Sequence, residues 1–321
     1  ISQYFKRKYN FLYSEEEIIV TNGASEALDT SLRSIIEPGD DILIPGPIYA
    51  GYIPLVETLG GNPVYIDTTQ SDFKVTPELI ESHLTHKTKA ILLNYPTNPT
   101  GVILERSEVK NIVDTLVNKH IFIISDEIYA ENTFKGQHTS FAEFPEIRDQ
   151  LLLIGGLSKS HSATGIRIGF LLGPEYLIEK LTFMHAYNCI CANVPAQIAC
   201  TTALNEGINA PLYMNRDYIE RRNYLKDKLE SLGFELTAQP EGAFYIFPSI
   251  KRFTENDFEF CVDVLEKAHL AMVPGSSFTD IGKGYIRISY AYDMETLKKG
   301  MHRLENYLQQ HYPEQMTTPT K

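Results

Sequence analysis

The stretch GLSKSHSATGIRIG, Gly156 to Gly169, sets Lys159 between two serines and places Arg167 eight positions further on. Most lysines are solvated surface charges. This one follows LLLIGG, a run without a polar side chain, and an amine at the end of a buried strand has a depressed pKa. The neutral amine is the form that attacks a carbonyl carbon. Ser158 and Arg167 flank it with groups that seek phosphate, the arginine through paired N–H donors. Three other places carry related chemistry. Gly23, Ala24 and Ser25 follow EIIVTN and open a helix. Free backbone N–H groups, a positive dipole end and a hydroxyl suit a phosphate there, although taken alone a polar-capped helix start is the simpler reading. Asp126 closes IFIISD, and a buried carboxylate is costly unless a cation or good donors meet it. A surface aspartate at a strand end is an equal alternative. Asn98 in NYPTNPTG and Tyr129 in SDEIY complete the set, with a turn and ordinary packing as their plainer readings.

These residues are distant in sequence, so the fold must gather them. Short β-branched runs alternate with amphipathic stretches. EIIVTN, DDILIPG, NPVYID, TKAILLNYP, IFIISDE, LLLIGGLS and IRIGFLLG read as seven strands. Between the first two, Ala27, Leu28, Leu32, Ile35 and Ile36 recur at helical spacing, and Pro38-Gly39 stops the run. YAGYIPLVETLG and the segment 105–118 read as further helices. The alternation predicts an α/β fold: a largely parallel, seven-stranded sheet covered by helices on both faces. Ligands of such sheets gather at the carboxyl ends of the strands. Gly23–Ser25, Asn98, Asp126–Tyr129 and Ser158–Lys159 all follow strand ends, and that convergence is stronger than any one of them.

The texture changes after about Ala203. A long charged helix, NAPLYMNRDYIERRNYLKDKLESLG, ends at Gly233, and FELTA, GAFYIFP, AMVPG and YIRISYA alternate with helices over 256–268 and 293–310. This predicts a large domain over 1–205 and a smaller α+β domain over 206–321, with the boundary in the long helix near 210–232.

The chain has 321 residues, 43% of them hydrophobic, enough for a large core. Its formal net charge of -12 lacks the basic footprint of a nucleic-acid binder. No apolar run is long enough to span a bilayer. The four cysteines fit neither a zinc spacing nor a disulfide framework and read as buried free thiols of a cytoplasmic protein, with Cys189 and Cys191 at a helix–helix contact. His83 and His86 lack a carboxylate partner of metal spacing, and no metal site is expected. Disorder is expected only after Tyr312. The chain begins with Ile1 and enters a buried strand within about twenty residues, so it reads as lacking its own beginning.

TNGASEAL, NYPTNPTG, SDEIY, LSKSHSATGIRIG, EGAFYIFP, VPGSSF and YIRISYA occur in this order across most of the chain. Together they resemble the class I/II aminotransferases, pyridoxal 5'-phosphate (PLP) enzymes of fold type I. PGPIYAGY and GLSKSHS are similar to the bacterial aminotransferase A group, associated with N-acetyl-diaminopimelate in lysine biosynthesis.

The resemblance implies that Lys159 binds the cofactor covalently and then moves the substrate's Cα proton. It implies that Asp126 pairs with the pyridinium nitrogen and that Tyr129 and Asn98 bond the ring's phenolic oxygen. Gly23, Ala24, Ser25, Ser158 and Arg167 would hold the phosphate, Tyr49 would stack on the ring, and Arg287 with Asn98 would grip the substrate α-carboxylate. It further implies a homodimer acting on an amino acid and a 2-oxo acid, 2-oxoglutarate among them.

Three departures stand out. Gly156 replaces a frequent serine, with loss of one phosphate contact. Ile166 replaces a tryptophan, as packing. The family's N-terminal arm and its partner-reaching tyrosine are not visible. Two other outcomes share the same residues: a PLP-dependent β-lyase, and a non-catalytic PLP-sensing regulatory module.

Overall fold

The structure is a computed structural model that describes residues 1–316. Its main sheet has seven strands: β1 (Ile18–Thr21), β2 (Asp41–Gly46), β3 (Asn62–Asp67), β4 (Thr88–Asn94), β5 (Phe122–Asp126), β6 (Leu151–Gly156) and β7 (Gly169–Leu172). They lie in the order β1-β7-β6-β5-β4-β2-β3. All neighbours pair in parallel except β7, which runs antiparallel to both β1 and β6. The one reversed strand matters for the site. Its first residue, Gly169, pairs with Thr21 at the exit of β1 and with Gly156 at the exit of β6. The turn entering β7, which carries Arg167, therefore meets the carboxyl ends of its neighbours.

The central strands are apolar on both sides, as strands covered on both faces must be. Leu43, Ile91, Leu93, Ile123, Leu151 and Leu153 feed one core, and Ile42, Ile44, Leu92, Ile124, Leu152 and Ile154 feed the other. The N-terminal helix α1 (Ser2–Tyr9) joins the first core through Tyr4, Phe5 and Tyr9, with Phe11 and Tyr13 behind it. α2 (Ala24–Ile35) buries Ala27, Leu28, Leu32 and Ile35 in the second core beside α3 (Tyr52–Thr58). α4 (Pro77–His83) starts at a Thr76 cap with Pro77 in its first turn, and α5 (Arg106–Leu116) starts at a capping box of Glu105 and Glu108. Lys159 sits in the single turn α6 (Leu157–Ser160). Two helices that the sequence left undrawn follow, α7 (Glu175–Cys189) and α8 (Val194–Asn205).

The long helix α9 (Ala210–Ser231) leads to a second, three-stranded sheet, in the order β8 (Tyr245–Ile246), β10 (Ile286–Ser289), β9 (Val273–Pro274). α10 (Asp257–Ala268) and α11 (Met294–His311) pack on it around Phe260, Ile286, Leu304 and Leu308. FELTA, expected as a strand, contributes only an isolated bridge at Glu235 to Ser249, since Gly233 and the α9 exit bend it away from the sheet. The tail expected to be disordered begins with a short helix, α12 (Pro313–Met316), and its last five residues, 317–321, lie outside the described part.

Candidate active site

The expected site residues, Gly23 apart, line one cavity of about 360 Å³ at the strand exits of the main sheet. Tyr245 of β8 and Arg287 of β10 line it from the second sheet.

Asp126 closes β5 at the cavity and is 4% exposed. Its Oδ2 accepts from the Tyr52 hydroxyl at 2.6 Å and its Oδ1 from the Ile128 N–H at 3.1 Å. Burial pushes its carboxyl up to about 6; the two donors and the Lys159 charge pull it down, and Glu127 adds to the rise. Asn94, at the exit of β4, donates to the Asp126 carbonyl at 2.9 Å and accepts from the Asn98 N–H at 3.1 Å. Lys159 follows β6. Burial lowers its pKa, the Asp126 carboxylate opposes that shift, and Arg287 and Arg167 reinforce it. Its Nζ lies 5.8 Å from the ring centres of Tyr129 and Phe244.

The start of α2 makes the third wall. Gly23 has φ +87°, a backbone region costly for side chains, and a Cβ there would lie 2.4 Å from Arg167 Nη2. The missing side chain lets the guanidinium dock, donating to the Asn22 carbonyl at 3.0 Å and the Thr164 carbonyl at 3.1 Å. Ala24, Ser25, Ser158 and Arg167 thus border the same space. On the far side, Arg287 Nη1 donates to Asn98 Oδ1 at 2.8 Å, with the ring centres of Tyr245 and Phe278 at 4.4 and 4.8 Å. Arg287 Nε is buried without a partner. Tyr129 and Tyr245 share a hydroxyl–hydroxyl bond of 2.9 Å, and Tyr49 borders the cavity edge-on to Tyr52.

Several expectations change. Ile166 is 45% exposed on its turn and does not pack. Only Cys200 and Cys261 are buried; Cys191 is exposed because Ile190, at φ +66°, ends α7 and turns the chain outward. Gly156 is more than a lost hydroxyl: a Cβ there would lie 2.9 Å from the Ile168 carbonyl and 3.1 Å from Gly169 Cα, so the β6–β7 approach excludes a side chain. His161 turns to the Gly207 carbonyl and is not among the lining residues. Tyr52, Asn94, Thr164 and Tyr245 have no role in the sequence reading, although all four lie inside motifs quoted there.

The model of the family "Aminotransferase class I and II" matches residues 1–304. The chain belongs to the class I and II aminotransferases. A Bacillus subtilis relative named "Probable N-acetyl-LL-diaminopimelate aminotransferase" is 46% identical over 309 residues, covering 96% of this chain and 78% of the relative. An aspartate aminotransferase of Thermotoga maritima is 34% identical over 309 residues, 96% of this chain and 80% of its own. The solved aromatic aminotransferase of Pyrococcus horikoshii superposes with a TM-score of 0.92 at 32% identity, over 96% of this chain and 84% of that one.

These aminotransferases are PLP-dependent, and the residues present fit that group. Arg167 and the α2 start match its phosphate, with the guanidinium docked where a Cβ at Gly23 would stand. Asp126, a buried carboxylate with a raised pKa, matches a protonated ring nitrogen, and the Lys159 amine matches an aldehyde.

Proposed function

We propose that this aminotransferase moves an amino group from an L-amino acid to a 2-oxo acid, with glutamate and 2-oxoglutarate as one pair. The meeting of Lys159, Asp126, Arg167 and Arg287 at one cavity carries the reading. Bound PLP supplies an electrophilic carbon and a protonated ring that draws electrons from the substrate Cα. Arg167, Ser158, Ser25 and the backbone at Gly23–Ala24 hold its phosphate. Asp126 would keep its ring nitrogen protonated, Tyr49 would pack on the ring, and Asn98 and Tyr129 would bond its phenolic oxygen. Lys159 anchors it at rest. With its pKa lowered, the Lys159 amine would also serve as a general base, taking the substrate Cα proton and returning it. Arg287, with its spare Nε and its bond to Asn98, clamps the α-carboxylate in the two-pronged way guanidinium allows.

The Bacillus subtilis relative supports N-acetyl-LL-diaminopimelate as the amino donor or product. A homodimer is supported by the exposed apolar side chains Phe183, Tyr187, Ile190, Val194 and Ile198 along α7, α8 and the turn between them, since exposed apolar surface marks protein–protein contacts. No helix among the described residues is long and apolar enough to cross a membrane, consistent with work in the cytoplasm. The long helix α9, feeding a core of its own, supports a division of the chain near 206.

The test is a panel of amino donors, N-acetyl-LL-diaminopimelate included, with 2-oxoglutarate and purified chain loaded with PLP. Stoichiometric 2-oxo acid and glutamate without ammonia is expected, and lost in Lys159→Ala. Ammonia with pyruvate would overturn transfer in favour of a lyase.

A further inference from the structure

Behind the α2 start, three side chains of metal-binding type meet. His185 and Cys189 are one helical turn apart on α7, hence on one face, and Glu26 reaches them from the first turn of α2. Glu26 Oε1 lies 2.7 Å from His185 Nδ1 and 2.7 Å from Cys189 Sγ, and the sulfur lies 3.5 Å from that nitrogen. The other Glu26 oxygen accepts the Asn22 N–H, which fixes the carboxylate from behind. His185 is buried, while Cys189 is half-buried and leaves one side open to water.

We propose that Glu26, His185 and Cys189 form a site for a zinc-like divalent cation. One nitrogen, one sulfur and one carboxylate oxygen, all within 4.8 Å of one another, are the donor set that zinc takes, with water in the fourth position. Metal–ligand bonds of roughly 2.0–2.3 Å in a tetrahedron separate the donors by about 3.3–3.7 Å. The histidine and cysteine already stand at 3.5 Å, and Glu26 Oε1 need only withdraw by less than about 1 Å, a side-chain adjustment. The sulfur and imidazole favour zinc over magnesium or calcium, which take oxygen donors. Burial and then the Glu26 hydrogen bond push the Cys189 thiol up to about 11. Before a cation binds, the sulfur carries a proton that it shares with Glu26. On binding, the cation replaces that proton, which passes to solvent, and no oxidation state changes. Sequence spacing gives no sign of the set, because Glu26 is 159 residues from His185 and 163 from Cys189. The site does not rest on the transamination reading.

The test uses tag-free, full-length protein titrated with cobalt(II) alone. One cobalt per chain is expected, with the strong red-region bands of four-coordinate cobalt, bleached by one equivalent of zinc(II). Cys189→Ser and His185→Gln should each weaken binding by more than about tenfold, the loss that even an outer-shell partner can cause. Cys191→Ser should leave the bands in place. Absence of the bands in the unaltered chain, or their persistence in Cys189→Ser with circular dichroism confirming the fold, overturns the proposal. So does their loss in Cys191→Ser.

Discussion

The Tyr52 hydroxyl donates to Asp126 Oδ2 at 2.6 Å, with both residues almost wholly buried. Among the influences that hold the Asp126 carboxyl down, this bond is the largest. Tyr52→Phe removes it, and the carboxyl rises further above about 6. The acid limb of PLP binding to the cofactor-free chain should move to higher pH. Activity near neutrality should fall about tenfold or more, in line with about 1.5–3 kcal/mol for a hydrogen bond to a charged group. An unmoved acid limb would reduce Tyr52 to packing.

Asp126 also sets a stability trend in the cofactor-free chain. Its folded pKa, about 6, stands above the ordinary 3.8, so between those values the folded state holds more protons than the unfolded one. The contribution is complete below the unfolded value and is lost as pH rises through the folded one. About 3 kcal/mol follows from the gap between those two values. Urea midpoints of the cofactor-free chain should fall between about pH 4 and pH 7 relative to Asp126→Asn, in which that share of the slope disappears. Equal slopes would contradict the burial of the charge.

Arg287 has two aromatic neighbours and Asn98 to hold it. Arg287→Lys keeps the charge and loses the two-pronged fork. A rise in KM for the amino donor of about 10–100-fold is expected, from 1.5–3 kcal/mol per charged bond, with a smaller change in kcat. Asn98→Ala should show the same pattern more weakly. A loss confined to kcat would place Arg287 elsewhere in the chemistry.

Gly156→Ser would restore the family's hydroxyl, yet the Ile168 carbonyl at 2.9 Å leaves no room for its Cβ. Instead of tighter cofactor binding, a loss of stability of about 1–3 kcal/mol is expected. Thermal unfolding with and without PLP measures it. A gain in cofactor affinity at unchanged stability would refute the steric account.

Strand ends were legible in the sequence because apolar runs such as IFIIS and LLLIGG stop abruptly at Asp126 and Lys159. Their gathering followed from sheet topology alone. Tyr52, Asn94 and Tyr245 were not legible as site residues, since each meets Asp126 or Tyr129, 32 or more positions away, through packing alone. α7 escaped notice because its outer face carries Phe183 and Tyr187, which erase the polar–apolar contrast by which a covered helix is recognised. FELTA carries a strand's residue types, but its position at the α9 exit leaves only one bridge to form.

Asn94 ties the strand that carries Asp126 to the loop that carries Asn98, with one carboxamide serving both. The end of the cavity that would seat the cofactor and the end that would seat the substrate are therefore gauged from a single datum. Loss of that carboxamide would release both at once and with them the spacing between the ends. A misplacement at Tyr52 or Arg287 would be felt at one end only, so the alignment of the two halves hangs on one side chain.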